Sequence, residues 1–203
     1  MRRTPRERVA ADPRRKQLLD AAFGVFMRFG FRKTSMDEVA RAAELSRQGL
    51  YLHFATKEDL FRATLAHAVG TALDEANAAL AAEGEPLDER LVAAFDAWVG
   101  RYVGLLGAVA TDLGEASGTL GADIIRDGDA AFLASLARVL KASPLMPVYR
   151  DAGITAPKLA DTLYATARGF KHASPTRAAF SESMGVAIRM LCAPLGTPSG
   201  RRS

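Results

Sequence analysis

A single cysteine, Cys192, stands among 203 residues. One thiol builds neither an intramolecular disulfide nor a thiolate metal cluster, and it fits a reducing, cytoplasmic setting in which the residue serves as a small apolar side chain. No apolar run approaches the ~20 residues of a membrane span, so no membrane partner is expected. The Arg-rich beginning is not followed by the apolar stretch a secretory signal requires. Alternating runs of Val, Ile and Thr are missing; Ala and Leu dominate, which favours helices over strands. Enzyme signatures are missing too. There is no Gly-x-Ser-x-Gly elbow, and the Gly-rich run at 114–121 lacks the Gly-Lys-Ser/Thr ending of a phosphate loop. No His/Cys/Glu spacing fits zinc. No catalytic residue, metal or cofactor is therefore expected.

What is present supports a folded protein. Hydrophobic residues make up 49% and charged residues 25%, which allows a sizeable core and argues against global disorder. The net charge of +4 is unevenly placed. Residues 1–62 hold 14 Lys/Arg against 8 Asp/Glu, whereas 63–203 hold 13 against 15. An anionic partner is expected at the N-terminal end.

Residues 1–12 carry Arg2, Arg3, Arg6 and Arg8 without apolar periodicity, and read as a basic arm that is either disordered or reaches a DNA minor groove. A first helix is expected over 13–29, with Leu18, Leu19, Ala22, Phe23, Phe26 and Met27 on one face and Gly30 as its stop. Ser35-Met36-Asp37-Glu38 is a capping-box pattern that opens a second helix. Glu44-Leu45-Ser46 forms a short turn, and Ser46 caps a third helix through Phe54. Two short helices with so brief a link cross steeply, as in a helix-turn-helix. On the third helix Leu50 and Phe54 face inward, leaving Arg47, Gln48, Tyr51 and His53 outward. Cations and amides of this kind read base edges, and hydroxyls and cations hold phosphates. Thr56 caps a long fourth helix reaching about Ala82, with Lys57 in its first turn, where backbone donors already attract phosphate. Thr34, Ser35 and Ser46 supply further hydroxyls, and Gly49 permits close backbone approach. After the break at 83–86, a helix is expected from Asp88 to about Leu106, then short bent helices through the glycines of 104–128. A helix over 124–141, a loop at Pro144 and Pro147, helices over 156–172 and 175–191, and a disordered tail at 194–203 complete the reading.

Residues 14–61 resemble the DNA-binding domain of the tetracycline-repressor (TetR/AcrR) family of bacterial regulators. The landmarks fall in order: Ala21-Ala22, Phe26, Gly30-Phe31, Thr34-Ser35-Met36, Val39-Ala40, Ala43, Leu45-Ser46, Leu50-Tyr51, His53-Phe54 and Lys57-Glu58 with Leu60. The resemblance implies an all-α homodimer, with a helix-turn-helix domain at 13–62 and a helical ligand-binding and dimerisation domain at 63–193. The helices at 156–172 and 175–191 would pair with their copies. It also implies phosphate contacts for His53 and a phosphate or thymine-methyl contact for Tyr51. The family usually has Gly where Glu44 stands, and a positive φ is costlier for Glu. Gln48 and Gly49 also depart from the pattern, so operator sequence does not carry over.

In the second domain, Phe95, Trp98, Tyr102, Phe132 and Tyr164 are candidate lining for an apolar ligand, or ordinary core, with Asp112 and Arg168 as orienting polar groups. The function read from the chain is a ligand-responsive repressor that binds a palindromic operator in double-stranded DNA and is released by a small, largely apolar molecule. A non-specific basic DNA-binding protein, or an activator of the same fold, are the alternatives.

Overall fold

The computed structural model describes residues 13–104, 108–150 and 152–193; the basic arm at 1–12 and the tail at 194–203 lie outside them. Every regular element among the described residues is helical. In order these are α1 (Pro13–Lys33), α2 (Met36–Ala42), α3 (Arg47–His53), α4 (Lys57–Leu80), α5 (Leu87–Trp98), a 3-10 turn (Gly100–Tyr102), α6 (Ala108–Leu120), α7 (Ala122–Ala142), α8 (Leu145–Arg150), α9 (Ala156–Ala173) and α10 (Arg177–Cys192). No helix among them is long and apolar enough to cross a membrane. Two compact units divide the described chain: 13–71 with 108–127, and 72–104 with 128–193.

In the first unit, Leu18, Leu19, Ala22, Val25 and Phe26 of α1 share a buried core with Met36, Val39 and Ala40 of α2 and Leu50 of α3. Phe54, Leu60 and Phe61 close it. Phe26, Phe31 and Phe61 meet ring to ring, both contacts with Phe61 being edge-on at 5.1 Å, a geometry that aromatic quadrupoles favour. This unit is larger than the 13–62 segment read from sequence, because α6 packs along α1 and buries Ala116 in the same core. Gly30 breaks α1 at φ 82°, as its position predicts, and the place a Cβ would take there is filled by the Asp112 carboxylate. That carboxylate accepts the Arg32 backbone N–H at 3.0 Å and pairs with the Arg32 guanidinium, which also reaches Glu115. On α4, Arg62 forks onto Asp123 at 2.8 and 3.1 Å and donates to the Leu120 carbonyl. The bond from Arg62 holds the Asp123 carboxyl down to about 2. Between α6 and α7 the chain turns at Gly121, where the Leu65 side chain occupies the space of a Cβ.

In the second unit, Leu91, Ala94, Phe95 and Trp98 of α5 are buried, as are Phe132, Leu136 and Leu140 of α7. The inward face of α9 is Leu159, Ala160, Leu163 and Ala167, and that of α10 is Phe180, Met184 and Ile188. Asp96 joins α5 to α10: it accepts three bonds from Arg177 and one from the Ser181 hydroxyl at 2.7 Å. Burial alone would raise the Asp96 carboxyl, but these bonds outweigh it and leave the group below its ordinary value.

Three sequence expectations need correction. The helix expected to run to about Leu106 ends at Trp98 and tightens into the 3-10 turn, where Val103 N–H bonds back to Gly100. The glycine-rich stretch carries one 13-residue helix, α6, rather than several short ones, since Gly114 and Gly118 sit inside it without breaking it. The expected loop at Pro144 and Pro147 is shorter than read: Pro144 lies in the turn before α8, but Pro147 lies inside α8. Ser143 Oγ accepts the Leu145 N–H at 3.3 Å, and Pro147 falls in the first turn, where a missing N–H costs no helical bond.

Candidate nucleic-acid interface

The α2–α3 hairpin is built by capping. Ser35 Oγ accepts the Glu38 N–H while the Glu38 carboxylate accepts the Ser35 N–H at 2.8 Å, so both halves of the capping box form. At the other end of α2, Leu45 N–H bonds to the Ala40 carbonyl at 2.8 Å and Glu44 N–H to the Arg41 carbonyl at 3.2 Å. These are the two bonds of a Schellman stop, which needs a left-handed residue at Glu44. Glu44 sits there at φ 56°, the one non-glycine with positive φ among the described residues. Ser46 then caps α3 by accepting the Gly49 N–H at 3.0 Å.

Leu50 anchors α3 in the core, and Phe54 follows it inward. Arg47, Gln48, Tyr51 and His53 are all exposed on the far side. Arg47 is oriented rather than loose: it pairs with Asp37 of α2 at 2.8 Å and lies over the Tyr51 ring at 5.6 Å. The structure therefore brings together five positions read as DNA-facing, counting the Gly49 backbone, and adds Ser46 and Ser35 as exposed caps at two helix starts.

Two other candidates turn inward. Thr34 is 2% exposed, and its hydroxyl donates to the Gly30 carbonyl at 2.6 Å. The Lys57 ammonium donates to the carbonyls of Phe31, Thr34 and Arg32 at 3.0, 3.1 and 3.4 Å and lies 4.5 Å over the Phe31 ring. Its three donors satisfy the end of α1, where helical carbonyls lack partners. One exposed residue escaped the sequence reading. Leu52, also on α3, is 83% exposed. Its residue type reads as core; its position, two residues past Leu50, places it on the opposite side of the helix.

In the second unit, Phe132 is the hub of the candidate lining. It stacks on Trp98 at 5.2 Å, meets Phe95 edge-on at 5.4 Å and lies 6.2 Å from Tyr164. The Tyr164 hydroxyl donates to Asp129 at 2.5 Å, and burial, then the Asp129 carboxylate, push its pKa well up. Tyr102 is also raised by burial and carries the Lys171 ammonium 5.6 Å above its ring. Burial lowers Lys171, and the neighbouring charge of the exposed Arg168 lowers it further. Asp112 is not among these residues. It belongs to the first unit, where it borders an open cleft of about 410 Å³ with Phe31, Arg32, Glu58 and Glu115.

Comparison with known proteins meets the geometry at the same residues. Residues 18–64 match the family described as bacterial regulatory proteins, tetR family. The chain is 41% identical over 64 residues to the uncharacterized HTH-type transcriptional regulator YfiR of Bacillus subtilis, covering 32% of this chain and 29% of that protein. It is 45% identical over 58 residues to the HTH-type transcriptional activator FasR of Mycolicibacterium smegmatis, covering 29% and 26%. The matched segments span less than a third of these curated relatives. The fold extends further: the fatty acid degradation regulator FadR from Bacillus halodurans superposes with a TM-score of 0.64 at 18% identity, over 87% of this chain and 94% of that one.

Proposed function

We propose that this chain, a member of the tetR family of bacterial regulatory proteins through its residues 18–64, controls transcription by binding a palindromic operator as a homodimer. The observation that carries the reading is α3: a capped seven-residue helix anchored by Leu50, with a cation, an amide, a phenol and an imidazole exposed along it. Gln48 pairs with an adenine edge, and Arg47, held by Asp37, addresses a neighbouring base. Tyr51, His53, Ser46 and Ser35 hold phosphates and set register. Lys57 and Thr34 act one step back, by fixing the end of α1 from which α2 starts.

The homodimer forms through α9 and α10, and its two α3 helices enter successive major grooves, which lie ~34–36 Å apart for the usual helix-turn-helix dimer. Its support is the outward side of α10, where Val186 and Met190 are 47% and 71% exposed one turn apart, and of α9, where Ala165, Gly169 and Ala173 are exposed at four-residue spacing. A small, largely apolar ligand that parts the Phe95, Trp98, Phe132 and Tyr164 rings favours a second conformer, and DNA affinity falls by the ligand's differential affinity for the two. Bound at an operator that overlaps a promoter, the dimer blocks transcription until the ligand releases it, which makes the chain a repressor. Activation is the second reading, since FasR is named an activator.

Selection of bound duplexes from a random pool by the purified protein tests the proposal. A recovered palindrome with half-sites one helical turn apart supports it. Enrichment of DNA without any motif overturns it in favour of a non-specific binder.

A further inference from the structure

Leu52 is the most exposed large apolar side chain among the described residues. Nothing in the roles assigned above uses it. It follows Gln48 by four residues, so the two stand one turn apart on the same ridge of α3. The setting selects the occupant. Around Leu52 the exposed residues of α3 are Arg47, Gln48, Tyr51 and His53, within residues 13–62, which carry ten Lys/Arg against six Asp/Glu. A polyanion suits that surface better than an apolar protein does. The major groove of DNA presents one apolar group to such a helix, the C5-methyl of thymine.

We propose that Leu52 is a specificity-determining residue that packs on a thymine methyl group, the inference resting on the specific-DNA reading of α3. Four residues of helix rise about 6 Å, and stacked bases follow one another at about 3.4 Å. The thymine therefore lies within about two base pairs of the adenine that Gln48 reads. Leu52 and Gln48 together specify a short A·T-rich core in each half-site, the amide by hydrogen bonds and the leucine by shape.

Uracil lacks only the thymine methyl, so it isolates this contact. The wild type and Leu52→Ala are titrated against the selected duplex and against duplexes in which each thymine in turn is replaced by uracil. At one thymine per half-site, within two base pairs of the A·T preference that Gln48→Ala abolishes, uracil is expected to weaken the wild type about fourfold, the effect of one methyl group's burial. Leu52→Ala should bind thymine and uracil equally there. The variant changes an exposed residue, so an unchanged melting temperature and salt dependence accompany the expected result. If every uracil penalty persists in Leu52→Ala, or if no thymine shows one, the role of Leu52 is overturned while the operator itself stands. A pool that returns no motif overturns the regulator reading, and the role of Leu52 with it.

Discussion

On α3 the side chains assigned to DNA are exposed, and those that hold the helix, Leu50 and Phe54, are buried. In the second unit the same two tasks fall on the same residues: Phe95, Trp98 and Phe132 are the candidate ligand lining and are 0%, 7% and 0% exposed against one another and the core. The first arrangement lets base preference change with little effect on stability. The second makes every change in ligand preference also a change in packing, because a void left by a ring loses its contacts outright.

The contrast is broken most easily at Phe132. Phe132→Ala should lower stability by about 3–5 kcal/mol, read from the denaturant midpoint. A cost below about 1 kcal/mol would mean that the rings border a space able to collapse, and the second unit would then resemble the first. Gln48→Ala is the counterpart on α3. It should leave stability within about 0.5 kcal/mol while removing about 1–3 kcal/mol of base-pair preference. Equal loss on all sequences would take Gln48 out of base readout. Lys57 sharpens the division within the first unit itself. Although it stands at a helix start beside α3, its donors face the carbonyls of Phe31, Arg32 and Thr34, so Lys57→Met should behave as a packing change. We expect a loss of about 1.5–3 kcal/mol of stability from charged hydrogen bonds and an unchanged slope of DNA affinity against salt. A slope flattened by about one ion per half-site would return Lys57 to the phosphates. The smallest effect is at Glu44. Left-handed backbone costs an L-residue roughly 1–2 kcal/mol, and glycine's extra unfolded-state freedom offsets part of the relief. Glu44→Gly should therefore gain about 0.5–1 kcal/mol in thermal unfolding, with base preference intact; a loss would show that the Glu44 side chain does more than occupy the stop of α2.

Much of the first unit was legible because its signals are local. Ser35 and Glu38 are three residues apart, as are Ser46 and Gly49, and the bonds they make are those their spacing predicts. The left-handed backbone at Glu44 was legible only through the resemblance, which implies glycine at that position. The end of α5 was less legible, since a 3-10 turn and an α-helix share the same apolar spacing over three residues. Pro144 lies in a turn, as its residue type predicts, but Pro147 does not: proline breaks a helix interior but is tolerated in a first turn, and which applies depends on where the turn begins.

Residue order alone therefore accounts for the helical class, the capped α2–α3 hairpin and the outward face of α3, because caps and helical periodicity act within four residues along the chain. The inward turn of Lys57, the union of Asp112 with Arg32 and the closure of the aromatic rings around Phe132 belong to the folded state. Lys57 meets Phe31 across 26 positions, and Arg32 meets Asp112 across 80. Contacts at such separations are set by how whole helices pack, and residue type and spacing leave them open.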